Sequence, residues 1–165
     1  MTEVQDQQPE TKTESNWRPY ALDRYAQELV LDRRDLKDVL NESHKMRMAV
    51  GYGLERFWGE HIRLQRESRE KAAYWKAVWD KLAEILKETG CSIELPTETV
   101  EPNDTEKIKT EKIKMEKIRT EKIKRISGLI WNLDIDQQRI ALMVLTQFCD
   151  ALVWWTQRYK QKKPG

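Results

Sequence analysis

Residues 135–160 read IDQQRIALMVLTQFCDALVWWTQRYK, and the spacing of their apolar side chains decides the fold. Ile140, Val144, Phe148, Leu152, Trp155 and Tyr159 recur every three to four residues, the period of one face of an α-helix, while Leu142, Leu145, Cys149 and Val153 fill a second face. Only a narrow polar strip of Arg139, Thr146, Gln147, Asp150 and Gln157 is left. A helix apolar over most of its circumference must be covered on several sides. Trp154 and Trp155 lie about 100° apart on it and cannot share one face, so one of them is expected to face a partner. Asp134 stands three residues ahead of Gln137, the spacing of a capping box that starts a helix.

The cover has to come from upstream. Leu22, Tyr25, Leu29, Leu36 and Leu40 recur at helical spacing in a stretch expected to begin near Asn16 and Pro19 and to run to about Met48. Gly51 and Gly53 then flank Tyr52, where a break is cheapest. From Leu54 the positions occupied by Trp58, His61, Gln65, Ser68, Ala72, Trp75, Trp79, Leu82 and Leu86 step by four and three, the seam of a helix packing lengthwise in the manner of a coiled coil. The seam is polar from His61 to Ser68, which predicts two contact zones around a solvated middle, with Glu60, Arg63 and Glu67 pairing along one helix. Gly90 sits where a left-handed cap would close the run, and Pro96 and Pro102 mark the stretch beyond it as a linker.

Residues 105–124 read TEKIK, TEKIK, MEKIR, TEKIK. Steps of five turn successive isoleucines by about 140° around a helix, so Ile108, Ile113, Ile118 and Ile123 form no stripe and predict no buried face. Glutamate-to-lysine pairs three apart would support a solvated helix, and a tether that need only be soluble suffices to explain the tract. Residues 126–132 read as a short helix or turn.

These patterns predict an all-α chain. A long helical hairpin or bundle over residues 17–89 packs with a C-terminal apolar helix over 134–161, across a low-complexity linker that can itself be helical. Residues 1–16 are polar and acidic and are expected to be a disordered tail, 90–125 form the linker with its repeats, 126–161 the C-terminal helical segment, and 162–165 a basic tail. Charged residues at 35% with only 6 glycines and 5 prolines favour helices with ion pairs over a turn-rich β-protein.

Function is less legible. The net charge of +2 is uneven: −3 over 1–16, −2 over 17–104, +5 over 105–125 and +2 over 126–165. That excess, interspersed with glutamate, is a weak footprint for a nucleic-acid binder. Cys91 and Cys149 sit in no secretory framework, the first residues lack a basic-then-apolar leader, and no window reaches the roughly 18 apolar residues of a membrane span, so a cytoplasmic protein without membrane contact is expected. His44, His61, Cys91 and Cys149 have no metal-ligand spacing, and no cofactor or metal is implied. Asp150 is the one acid deep in an apolar run; a carboxylate paired with arginine explains it without catalysis, and no enzyme is expected.

Seven tryptophans, at 17, 58, 75, 79, 131, 154 and 155, point instead to protein contact. The expected partner interface, to a protein partner or a homo-oligomer, is Trp75, Trp79, Trp154, Trp155 and Tyr159. The second reading is an accessory subunit of a nucleoprotein complex, with Arg56, Arg63, Arg66, Arg69, Arg158 and Lys160 on the phosphate backbone.

Overall fold

The computed structural model describes residues 19–102 and 108–160; the expected tails at 1–16 and 162–165, Asn16 and Trp17 lie outside them. Among the described residues six α-helices occur in the order α1 (Pro19–Leu31), α2 (Glu42–Ala49), α3 (Leu54–Leu64), α4 (Arg69–Glu88), α5 (Lys109–Trp131) and α6 (Ile135–Tyr159), with single 3-10 turns at Val39–Asn41 and Val50–Tyr52. No strand occurs among the described residues. The chain is all-α.

The helix expected to reach Met48 ends at Leu31 instead. Residues 32–38 read DRRDLKD, three aspartates among cations, and aspartate is a poor helix former whose side chain competes for nearby backbone groups. Asp38 adopts the left-handed region at φ 61°, which aspartate tolerates better than most residues, and turns the chain into α2. The break at the glycines occurs where the sequence placed it: Gly53 sits at φ 98° between the second 3-10 turn and α3.

The seam from Leu54 to Leu86 belongs to two helices. α3 stops at Leu64 and Ser68 caps α4, its Oγ accepting from the Lys71 amide at 3.3 Å. The pair folds into a hairpin around Phe57, whose ring lies 4.9 Å from that of Trp75 and 6.5 Å from that of Trp79. The stretch read as a solvated middle is therefore the last turn of α3 followed by a turn at 65–68, and His61, on α3, is buried.

Residues 91–102 carry no helix, as their prolines require, yet they are packed down. Ile93, Leu95 and Val100 are buried. An extended segment must satisfy its backbone from outside. Trp79 Nε1 donates to the Pro96 carbonyl at 2.8 Å, Lys76 to that of Thr97 at 2.9 Å, and Gln65 to that of Val100 at 2.7 Å. The segment is a strap across α3 and α4.

From Lys109 onward α5 is one continuous helix through the rest of the repeat and residues 126–131. Ile108, Ile113 and Ile118 are exposed, as the five-residue period predicts, but Ile123 is half-buried against the core, and Ile126, Ser127 and Ile130 beyond it are buried. Arg125 forks onto the Glu98 carboxylate, and Arg119 donates to the Glu101 carbonyl at 3.2 Å and to Gln65 at 3.3 Å, fastening the second half of α5 to the strap and to the end of α3.

α6 opens with the expected capping box: the Gln137 amide reaches Asp134 Oδ1 at 2.9 Å and the Asp134 amide reaches Gln137 Oε1 at 3.2 Å. It packs along α1 and α2 and also touches α3 and α4, burying Ala141, Val144, Leu145, Phe148, Cys149 and Leu152 in a core shared by all six helices.

Candidate functional site

Two of the expected interface residues belong to the core. Trp75 and Trp79 are 2% and 0% exposed, packed on Phe57, and each indole N–H has a partner inside the chain: Glu42 Oε1 at 3.2 Å for Trp75 and the Pro96 carbonyl for Trp79. The hairpin between α3 and α4 consumes them, which corrects their assignment to a partner surface. Glu42, buried itself, also lies 3.1 Å from Lys45 through Oε2, in an ion pair whose angle does not make a hydrogen bond.

The other three gather at the end of α6. Trp155 stacks on Tyr159, rings 5.5 Å apart and 3° from parallel, and donates to Asp23 Oδ1 of α1 at 3.3 Å. Both are half-buried. Trp154 meets Trp155 edge-on at 4.6 Å and remains 44% exposed, with the Arg158 guanidinium 3.0 Å from its ring centre. The 100° between the two indoles thus sends one toward α1 and the other toward solvent. Beside them an open groove of about 550 Å³ between α1 and α6 is lined by Leu22, Asp23, Asp150, Ala151, Trp154 and Trp155.

Further apolar surface, not singled out by the sequence, is exposed at the corner between α5 and α6. Leu129 and Trp131 end α5, Ile135 begins α6 and Met143 stands two turns on, at 49%, 64%, 65% and 51% exposure. Trp131 sits in a weakly periodic stretch, and the signal that could have found it was a tryptophan immediately before a capping aspartate. Met48 and Tyr52 are also exposed, beside an open cleft of about 610 Å³ between α2 and α3.

The basic candidates do not form one patch. Arg63 is held by Glu60 at 2.9 Å and Glu67 at 3.0 Å, Arg56 lies over the Tyr52 ring at 5.7 Å, and Arg158 is taken up by Trp154. Arg69 and Lys160 are exposed at the start of α4 and just past α6. Arg66 alone is brought to the repeat, where with Lys112, Ile113, Lys117 and Thr120 it lines a groove of about 600 Å³ that Glu116 and Glu121 also enter.

Asp150 accepts from Arg47 Nε at 2.6 Å on the surface, the arginine pairing its position suggested. Burial drives the Cys149 thiol well above its ordinary range, which holds it protonated. Cys91, the first residue of the strap, is a free thiol. No group of three or more metal-ligating side chains occurs among the described residues, and none of their helices is long and apolar enough to cross a membrane.

Comparison with known proteins finds no family model that matches the chain, and no curated protein or solved structure that matches it.

Proposed function

We propose that the chain is a non-enzymatic helical module for protein–protein interaction or oligomerisation, working through α6 and the corner that precedes it. The observation that supports this reading is the apolar surface left uncovered there: Leu129, Trp131, Ile135 and Met143, with Trp154 further along α6. Together these side chains expose several hundred Å², about half of what one partner contributes to a standard interface, and two of them are tryptophans, the residue most enriched at interface hot spots. Polar Asn132, Asp136 and Arg139 are exposed among them and supply a rim.

Self-association is the form to test first. Sedimentation velocity over a range of concentrations should show a dimer or larger species, and Trp131→Ala with Ile135→Ala should shift it to monomer while circular dichroism stays unchanged, since neither side chain is core. A wild-type chain that sediments as a monomer at every concentration counts against self-association.

A further inference from the structure

Each glutamate of the repeat stands three residues ahead of a lysine, or once an arginine, close enough on a helix for an ion pair. Among the described residues α5 forms one such pair, and at the arginine that departs from the repeat: Glu116 to Arg119 at 4.0 Å. Lys109, Lys112, Lys114, Lys117, Lys122 and Lys124 have no carboxylate within ion-pair reach among the described residues. From Ile108 to Arg125 eight cations stand against three carboxylates, a net +5 along a helix about 35 Å long from Lys109 to Trp131.

The placement of these ammonium groups indicates what they meet. At about 100° per residue the six lysines fall all around the helix axis, and Ile108, Ile113 and Ile118 are spread equally widely. A flat anionic surface such as a bilayer would engage one side only, and no apolar face exists to insert into it. The major groove of B-form DNA, about 12 Å wide, admits one α-helix and flanks it with phosphates on both sides. The first turns of α5 are exposed over most of their circumference, and the turn between α3 and α4 delivers Arg66 to the edge where one phosphate ridge would pass.

We propose that α5, with Arg66 beside it, binds double-stranded DNA by lying in the major groove and contacting the phosphate backbone. Glu116 and Glu121 oppose the contact on the Arg66 side, and the lysines outnumber them. The surface is separate from the apolar corner, so either assignment stands or falls alone.

The test is fluorescence anisotropy of the full chain with a labelled duplex of about 20 bp, in salt from about 50 to 200 mM. Neutralising four or five phosphates should make log K fall with log salt at a slope of about −4. Replacing Lys109, Lys112, Lys114 and Lys117 by glutamine should weaken binding at low salt more than about tenfold and flatten the slope, whereas replacing the same four by arginine should keep both. An RNA duplex of the same sequence, whose major groove is narrow and deep, should bind more weakly. No anisotropy change at low salt, glutamine variants that bind like wild type, arginine variants that bind like the glutamine ones, RNA bound as tightly as DNA, or capture by phosphatidylglycerol vesicles without duplex binding would each overturn the proposal.

Discussion

His61 enters the core with Nδ1 against the Trp58 carbonyl and with Nε2 unpartnered. Burial, opposed by the hydrogen bond to the Trp58 carbonyl and helped by the nearby cations of Lys76 and Arg119, pulls its pKa down to about 4. Between about pH 6.5 and 4 the unfolded chain takes up a proton that the native ring refuses, so the stability present above pH 6.5 is lost on acidification, by about 3 kcal/mol near pH 4. Urea unfolding at pH 7 and pH 4.5 should show this fall in wild type and a smaller one in His61→Leu; equal falls would mean that the carboxylates alone account for it. A second buried group is neutral: Ser43 Oγ lies 2.7 Å from the Tyr74 hydroxyl and 2.6 Å from that of Thr156, and burial pushes the Tyr74 phenol up to about 12. Ser43→Ala strands two buried hydroxyls and should cost about 1–3 kcal/mol, read as a lower urea midpoint at unchanged slope. The three residues come from α2, α4 and α6, and nothing in the sequence pairs them. Periodicity reports which face is buried, not what a polar residue on that face will meet.

The strap shows the same limit for an element. Pro96 and Pro102 announce that residues 91–102 are not helical, and that much was legible. Their burial was not, because Ile93, Leu95 and Val100 are too few and too irregularly spaced to register as a periodic face. Ile93→Ala should cost about 2–4 kcal/mol, as for a core isoleucine, whereas a slack linker would lose almost nothing; thermal melts separate the two outcomes. The repeat is the converse case. Its period excluded a buried face, and removing Thr110–Lys114 deletes only exposed side chains upstream of Arg119, which should leave stability within about 0.5 kcal/mol of wild type. The split between α3 and α4 escaped the sequence for a different reason: the turn at 65–68 preserves the spacing of four and three, and Ser68 caps without a glutamate or glutamine at the third helical position to announce it.

At the scale of the whole molecule α6 is the element on which the others depend. It packs along α1 and α2, and its polar positions join them again: Asp150 to Arg47, Thr156 to Ser43, and Trp155 to Asp23. That α6 is a helix needing cover on several sides was plain from residues 135–160. Which helices supply the cover was not, because the break after Leu31 creates α2 as a separate short helix, and eight residues are too few to persist without a partner. α1 and α2 pack most heavily on α6 and more lightly on α4 and α3, so α6 supplies the larger part of their cover. Ending the chain after Leu133 should therefore do more than remove one helix. Leu22, Ala26, Leu29, Val30 and Met46 would face water, and the truncated chain should lose its near-ultraviolet dichroism and unfold without a cooperative transition, while the full chain unfolds in one. A truncated chain that keeps a sigmoidal melt and native tryptophan dichroism would show that the α3–α4 hairpin with its strap is an independent fold, and that α6 joins it as a docked arm.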